Sequence, residues 1–140
     1  MDIMKECSRL LDEAREYAEI GDVDRMQHCC YAEIERIIAS QVHNHSERDE
    51  SGKRDNAKIA AMLMGEVMSK AYEPIARKGY TLAVENSLQR AEILMKAGRW
   101  SEADKEIGIA KDIYAPRAGI KADSLDKRIK LVYEMGQLAA

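Results

Sequence analysis

Turn residues divide this chain into segments of similar length. Gly21, the run from His43 to Asn56, Gly79, Gly98 and Gly119 recur at intervals of roughly 20 residues. Between them apolar side chains return every three or four positions, the period of an amphipathic helix. Such a chain reverses direction at each turn and buries one face of each segment. The pattern predicts an all-α protein of about six antiparallel helices, as a helical bundle or an irregular array of hairpins.

A length of 140 residues suits one all-helical domain, 1–140, with a core that needs neither disulfide nor metal. Good helix formers dominate, Pro occurs twice and Phe is absent. The net charge of −3 argues against nucleic acid as a partner. Basic residues gather at Arg48, Lys53, Arg54 and Lys58 and at Lys127, Arg128 and Lys130, but acidic residues interleave with both groups. No apolar run reaches the ~20 residues of a bilayer span, so no membrane partner is expected. The charged start Met1-Asp2-Ile3-Met4-Lys5-Glu6 does not read as an export signal. Three cysteines, an odd number, fit reduced thiols, and a cytoplasmic location is expected.

Segment one, about 3–20, places Ile3, Cys7, Leu10, Leu11, Ala14 and Ala18 on one face. Gly21 ends it, with Asp22 as N-cap for segment two, about 23–42, which carries Met26, Cys30, Ile34, Ile37 and Ile38. The stretch 43–56 has no apolar residue and is expected to be an exposed polar loop. Segment three, about 56–73, is apolar on more than one face, through Ile59, Met62, Leu63, Met64, Val67 and Met68. It is therefore central to the fold or the seam of an oligomer. The next break falls at Pro74 or at Gly79, and the sequence leaves both open. Segment five, about 100–114, opens with Ser101 and Asp104 as a capping-box-like pair and is broken over Ala115-Pro116-Arg117-Ala118-Gly119. Segment six spans about 123–138.

Around Lys96-Ala97-Gly98-Arg99-Trp100-Ser101-Glu102-Ala103 the chain resembles a tetratricopeptide repeat, over about residues 87–116. Gly98, Trp100, Ala103, Ile107 and Ala110 fall in step with that family, and Pro116 comes one residue late. Ala91 and Leu94 suit the preceding helix, whereas Ser87 and Arg90 stand where large apolar residues are usual. Weaker echoes begin at Gly21 and Gly79, and the glycines are not spaced by multiples of about 34 residues. The resemblance implies a tetratricopeptide-like hairpin array, binding of a peptide or protein in a groove, and no catalysis.

The function expected is a non-catalytic helical module that binds a protein or peptide: an adaptor, regulator or chaperone-like protein. Met64, Met68, Tyr72, Tyr80, Trp100 and Tyr114 are the candidate partner-binding residues, since adaptable methionines and amphipathic aromatics line such grooves. One alternative is a self-assembling structural bundle, with the partner a second copy. The other is a metal or redox sensor built from Cys7, His28, Cys30 and His43, thiol and imidazole being ligands for zinc or copper. Cys7 and Cys30 also occupy helical core positions, where cysteine acts as a small hydrophobe. No phosphate loop or nucleophile motif is present, and no cofactor is expected.

Overall fold

The structure, a computed structural model, describes residues 2–46 and 53–138. Its regular elements, among the described residues, are all helical. Helix α1 is Ile3–Glu19. Helix α2 covers 23–46, with a π turn at Met26–Tyr31. Helix α3 is Lys53–Lys96. Helix α4 covers 100–118, with a π turn at Ala110–Tyr114. Helix α5 is Ala122–Leu138.

Five helices thus replace the six expected among the described residues. The difference lies in α3, which runs without a break through both Pro74 and Gly79. A proline inside a helix removes one backbone hydrogen bond and costs about 3 kcal/mol. Burial on both sides offsets that cost. Met68, Tyr72 and Ile75 are buried up to the proline, and Tyr80, Ala83 and Val84 are buried beyond it.

The expected polar loop is also shorter. His43 to Ser46 continue α2, and residues 53–56 open α3. Positions 47–52 of that loop lie outside the described residues. Within the expected break 115–119, Ala115-Pro116 does not end α4; the helix continues to Ala118 and stops at Gly119. An α-helical Pro116 ring would press on the carbonyl of Asp112. The π turn falls at that carbonyl, and its wider backbone relieves the clash. Ser101 is not a cap. Helix α4 begins at Trp100, with Arg99 before it and no side-chain cap bond. The Arg99 carbonyl accepts the Ala103 N–H at 3.1 Å, which places Ser101 in the first turn.

The contacts of the chain group into two compact units. The first comprises residues 1–17 and 24–75. Its core is Cys7, Leu10, Leu11 and Ala14 of α1, Met26, Cys30, Ile34, Ile37 and Ile38 of α2, and Ala61, Met68 and Tyr72 of α3. Glu33 acts electrostatically on Glu6, and Arg9 and Glu13 act on Cys30, as antiparallel α1 and α2 require. Gly65 lets α3 approach α2, because a Cβ there would lie 3.0 Å from Ile38 Cγ2.

The second unit comprises residues 18–23 and 76–140. Val84, Leu88, Ala91 and Met95 of α3 pack with Ala103, Ile107, Ala110 and Ala115 of α4 and Leu125 of α5. Small alanines on both α3 and α4 allow the two helices to come close. Gly98 and Gly119 have φ of 76° and 73° and end α3 and α4 in the same way. Gly98 N–H donates to Met95 O and Arg99 N–H to Leu94 O; Gly119 N–H donates to Pro116 O and Ile120 N–H to Ala115 O. This paired bonding satisfies carbonyls that a helix end leaves open.

Candidate partner-binding surface

Helix α3 carries more apolar residues than the first unit can bury. Ala61, Met68 and Tyr72 are buried in the core. On the opposite side Ile59, Met62, Leu63 and Val67 are 53–57% exposed. At 100° per residue, Ile59, Leu63 and Val67 lie within about 40° of one line along the helix. Four adjacent large side chains exposed in this way form a patch, which scattered single hydrophobics do not.

Beside the stripe lies an open groove of about 560 Å³ between α2 and α3. Tyr31, Ile34, Ile38 and Val42 of α2 form one wall, and Met62 and Met68 are among the α3 residues of the other. Glu35, Glu66 and Lys70 bring charge to a lining that is otherwise mostly apolar. One end is fixed by aromatic stacking. The Tyr31 and Tyr72 rings stack with centroids 4.2 Å apart and planes at 22°. Tyr72 OH donates to Gln27 Oε1 at 2.7 Å, and the Tyr31 and Ser69 hydroxyls are hydrogen-bonded at 3.1 Å. Both hydroxyls are thus satisfied while the ring faces stay apolar.

The six residues expected to contact a partner fall in two groups. Met64, Met68 and Tyr72 belong to the first unit, where Met68 and Tyr72 are buried and Met64 is half-buried. Met68 also lines the groove. Tyr80, Trp100 and Tyr114 belong to the second. There Tyr80 is buried, its ring centroid 5.9 Å from that of half-buried Tyr114, and its hydroxyl accepts from Arg117 Nη1 at 2.8 Å. Trp100, at the start of α4, is 36% exposed.

Sequence reasoning does not single out the exposed stripe Ile59-Met62-Leu63-Val67. Its signal is nonetheless present: segment three has apolar residues all round, and the first unit buries only one side of them. The acidic side of α1 is solvated and holds Arg9 between Glu6 and Glu13.

The thiol and imidazole residues are differently placed. Cys7 and Cys30 are buried, and burial pushes both thiols up, Cys30 to about 11. His28, Cys29 and His43 are exposed. Among the described residues no three His, Cys, Asp or Glu side chains are gathered as a metal site. No helix among them is long and apolar enough to cross a membrane. The chain matches no family model, no curated protein and no solved structure.

Proposed function

We propose that this chain is a non-catalytic helical module of the cytoplasm that binds another protein through the outer face of α3. The observation that carries the reading is the half-exposed stripe Ile59, Met62, Leu63 and Val67 alongside the α2–α3 groove. Apolar side chains at i, i+3, i+4 and i+8 form one apolar face of a helix, and such a face is what a partner's groove or helix takes up. Methionines in and beside the stripe adapt their shape to the partner at low cost. The charges of Glu35, Glu66 and Lys70 set orientation at the rim more than affinity. In the second unit, the small-residue hairpin closed at Gly98 supports a tetratricopeptide-like reading of that part of the chain.

The test is site-specific photo-crosslinking in intact cells. A photoreactive residue at Leu63 or Val67, both exposed, is expected to give protein adducts of discrete mass. The same residue at exposed Asp123 of α5 is expected to give none. Absence of adducts at both α3 positions would overturn the reading.

A further inference from the structure

We propose that the turn joining α4 to α5 is an anion site, in which Arg77 of α3 and Arg117 of α4 hold a phosphate-type dianion, free or borne on an ester. The site lies within the second unit and does not depend on the docking face of α3.

Most arginines among the described residues are paired with a carboxylate: Arg9, Arg15, Arg36, Arg90, Arg99 and Arg128. Arg77 and Arg117 are exposed and form no ion pair among the described residues. Arg117 is nonetheless held in place. Its Nη1 donates to Tyr80 OH at 2.8 Å, and its guanidinium carbon lies 5.4 Å from the centre of the Tyr80 ring. Tyr80 is itself buried, with Tyr114 beside it. Both contacts are to a neutral side chain. They fix the guanidinium and leave its charge uncompensated.

Arg77 approaches the same turn from α3. A Cβ built at Gly119 would meet only the Arg77 Nε, at 3.8 Å. The backbone beyond Gly119 supplies further donors. Gly119 N–H and Ile120 N–H are spent in closing α4, but the first helical bond of α5 is Leu125 N–H to Lys121 O. The N–H groups of Ala122, Asp123 and Ser124 therefore have no acceptor within the helix. Their positive end adds to the field of the two guanidinium groups.

Lys121 is exposed between Gly119 and α5 and brings a third cation. Asp123 is the one carboxylate in residues 115–124, and it too forms no ion pair among the described residues. Three cations against one carboxylate leave a positive surplus that a dianion neutralises. Arginine forks suit a tetrahedral oxyanion, because their paired N–H groups meet two of its oxygens at once. Exposure makes the binding weak and sensitive to salt.

The experiment is an amide nuclear magnetic resonance titration of the full chain with inorganic phosphate, referenced to sodium chloride at matched ionic strength. Phosphate is expected to shift the amides of residues 119–124 and the Arg77 Nε–H to saturation, and chloride is not. Phenyl phosphate, titrated in the same way, separates the two sources: tighter binding than inorganic phosphate assigns the site to an ester, weaker binding to the free ion. Arg77→Gln is expected to weaken phosphate binding about tenfold. Arg117→Lys keeps the charge without the fork and should also weaken it. Arg99→Gln, whose guanidinium serves Glu102 at the other end of α4, should leave it unchanged. Shifts that chloride reproduces, shifts that never saturate, or an Arg77→Gln chain that titrates like the unaltered one would overturn the site.

Discussion

Gly136 of α5 lies directly against Met95 of α3: a Cβ added there would come within 2.7 Å of the methionine sulfur and 2.8 Å of its Cβ. The sulfur is the mobile end of a side chain, but the Met95 Cβ is fixed to the α3 backbone. Gly136→Ala gains up to about 1 kcal/mol in helix propensity. Overpacking costs about 1–3 kcal/mol, and here the backbones must separate. The expected net effect is destabilisation, read by chemical denaturation. Gly108 of α4 is the control. A Cβ added at Gly108 would meet nothing within 4 Å, so Gly108→Ala is expected to stabilise by about 0.5–1 kcal/mol.

Gly21 and Gly98 separate backbone strain from crowding. Both have positive φ, 73° and 76°. A Cβ at Gly98 would meet nothing within 4 Å, whereas one at Gly21 would lie 2.7 Å from Asn86 Nδ2 and 3.2 Å from Ala83 N. Gly98→Ala is expected to cost the left-handed strain alone, about 1–2 kcal/mol. Gly21→Ala should cost more, because it also displaces Asn86, whose Nδ2 donates to Ile20 O at 3.2 Å. Equal losses of stability in the two variants would refute the crowding argument.

Tyr133 OH donates to Asp104 Oδ1 at 2.6 Å. This hydrogen bond, with burial and the Asp104 charge, pushes the phenol up to about 12. The folded value lies above the ordinary 10.0, so the stabilisation is fully present below pH 10 and is lost as pH rises through about 12. Solvent at this partly open site keeps the contribution small. Tyrosinate absorbance is expected to show one phenol ionising late, and Tyr133→Phe should remove that phase.

Cys7 and Cys30 are buried while Cys29 is exposed. In the native protein at neutral pH, a thiol-specific disulfide reagent is expected to titrate one group quickly. Unfolding should release the other two, and Cys29→Ser should abolish the fast phase. The raised Cys30 value carries a linked effect: its contribution to stability is intact below about pH 9 and disappears as pH rises through about 11.

The helical class, the α1 face and the glycine turns are legible in the sequence because each is local. Cys7, Leu10, Leu11, Ala14 and Ala18 share a 3.6-residue phase, and all five are buried. Gly21, Gly98 and Gly119 stand where left-handed φ is needed. The path through Pro74 is not legible. A proline's local cost is plain in the sequence, but the compensating burial of Tyr72, Ile75 and Tyr80 is tertiary. The candidate surface is half legible for a related reason. Periodicity reveals that segment three is apolar all round, but only the packing of α2 against Gly65 decides which face is left over. Met68 and Tyr72 share the helix with Leu63, and no local signal separates core from surface among them.

The turn at residues 18–23 has its seat on a stretch of α3 far along the chain. Asn86 holds the Ile20 carbonyl from 66 positions away, whereas Gly98 and Gly119 close on bonds five residues long or shorter. Loop-closure entropy therefore delays the first contact and not the other two. On a ribosome the consequence is sharper. Residues 18–23 emerge early and wait, unseated, until α3 has been synthesised past Asn86. The earliest-made part of the second unit is thus among the last to find its place in it.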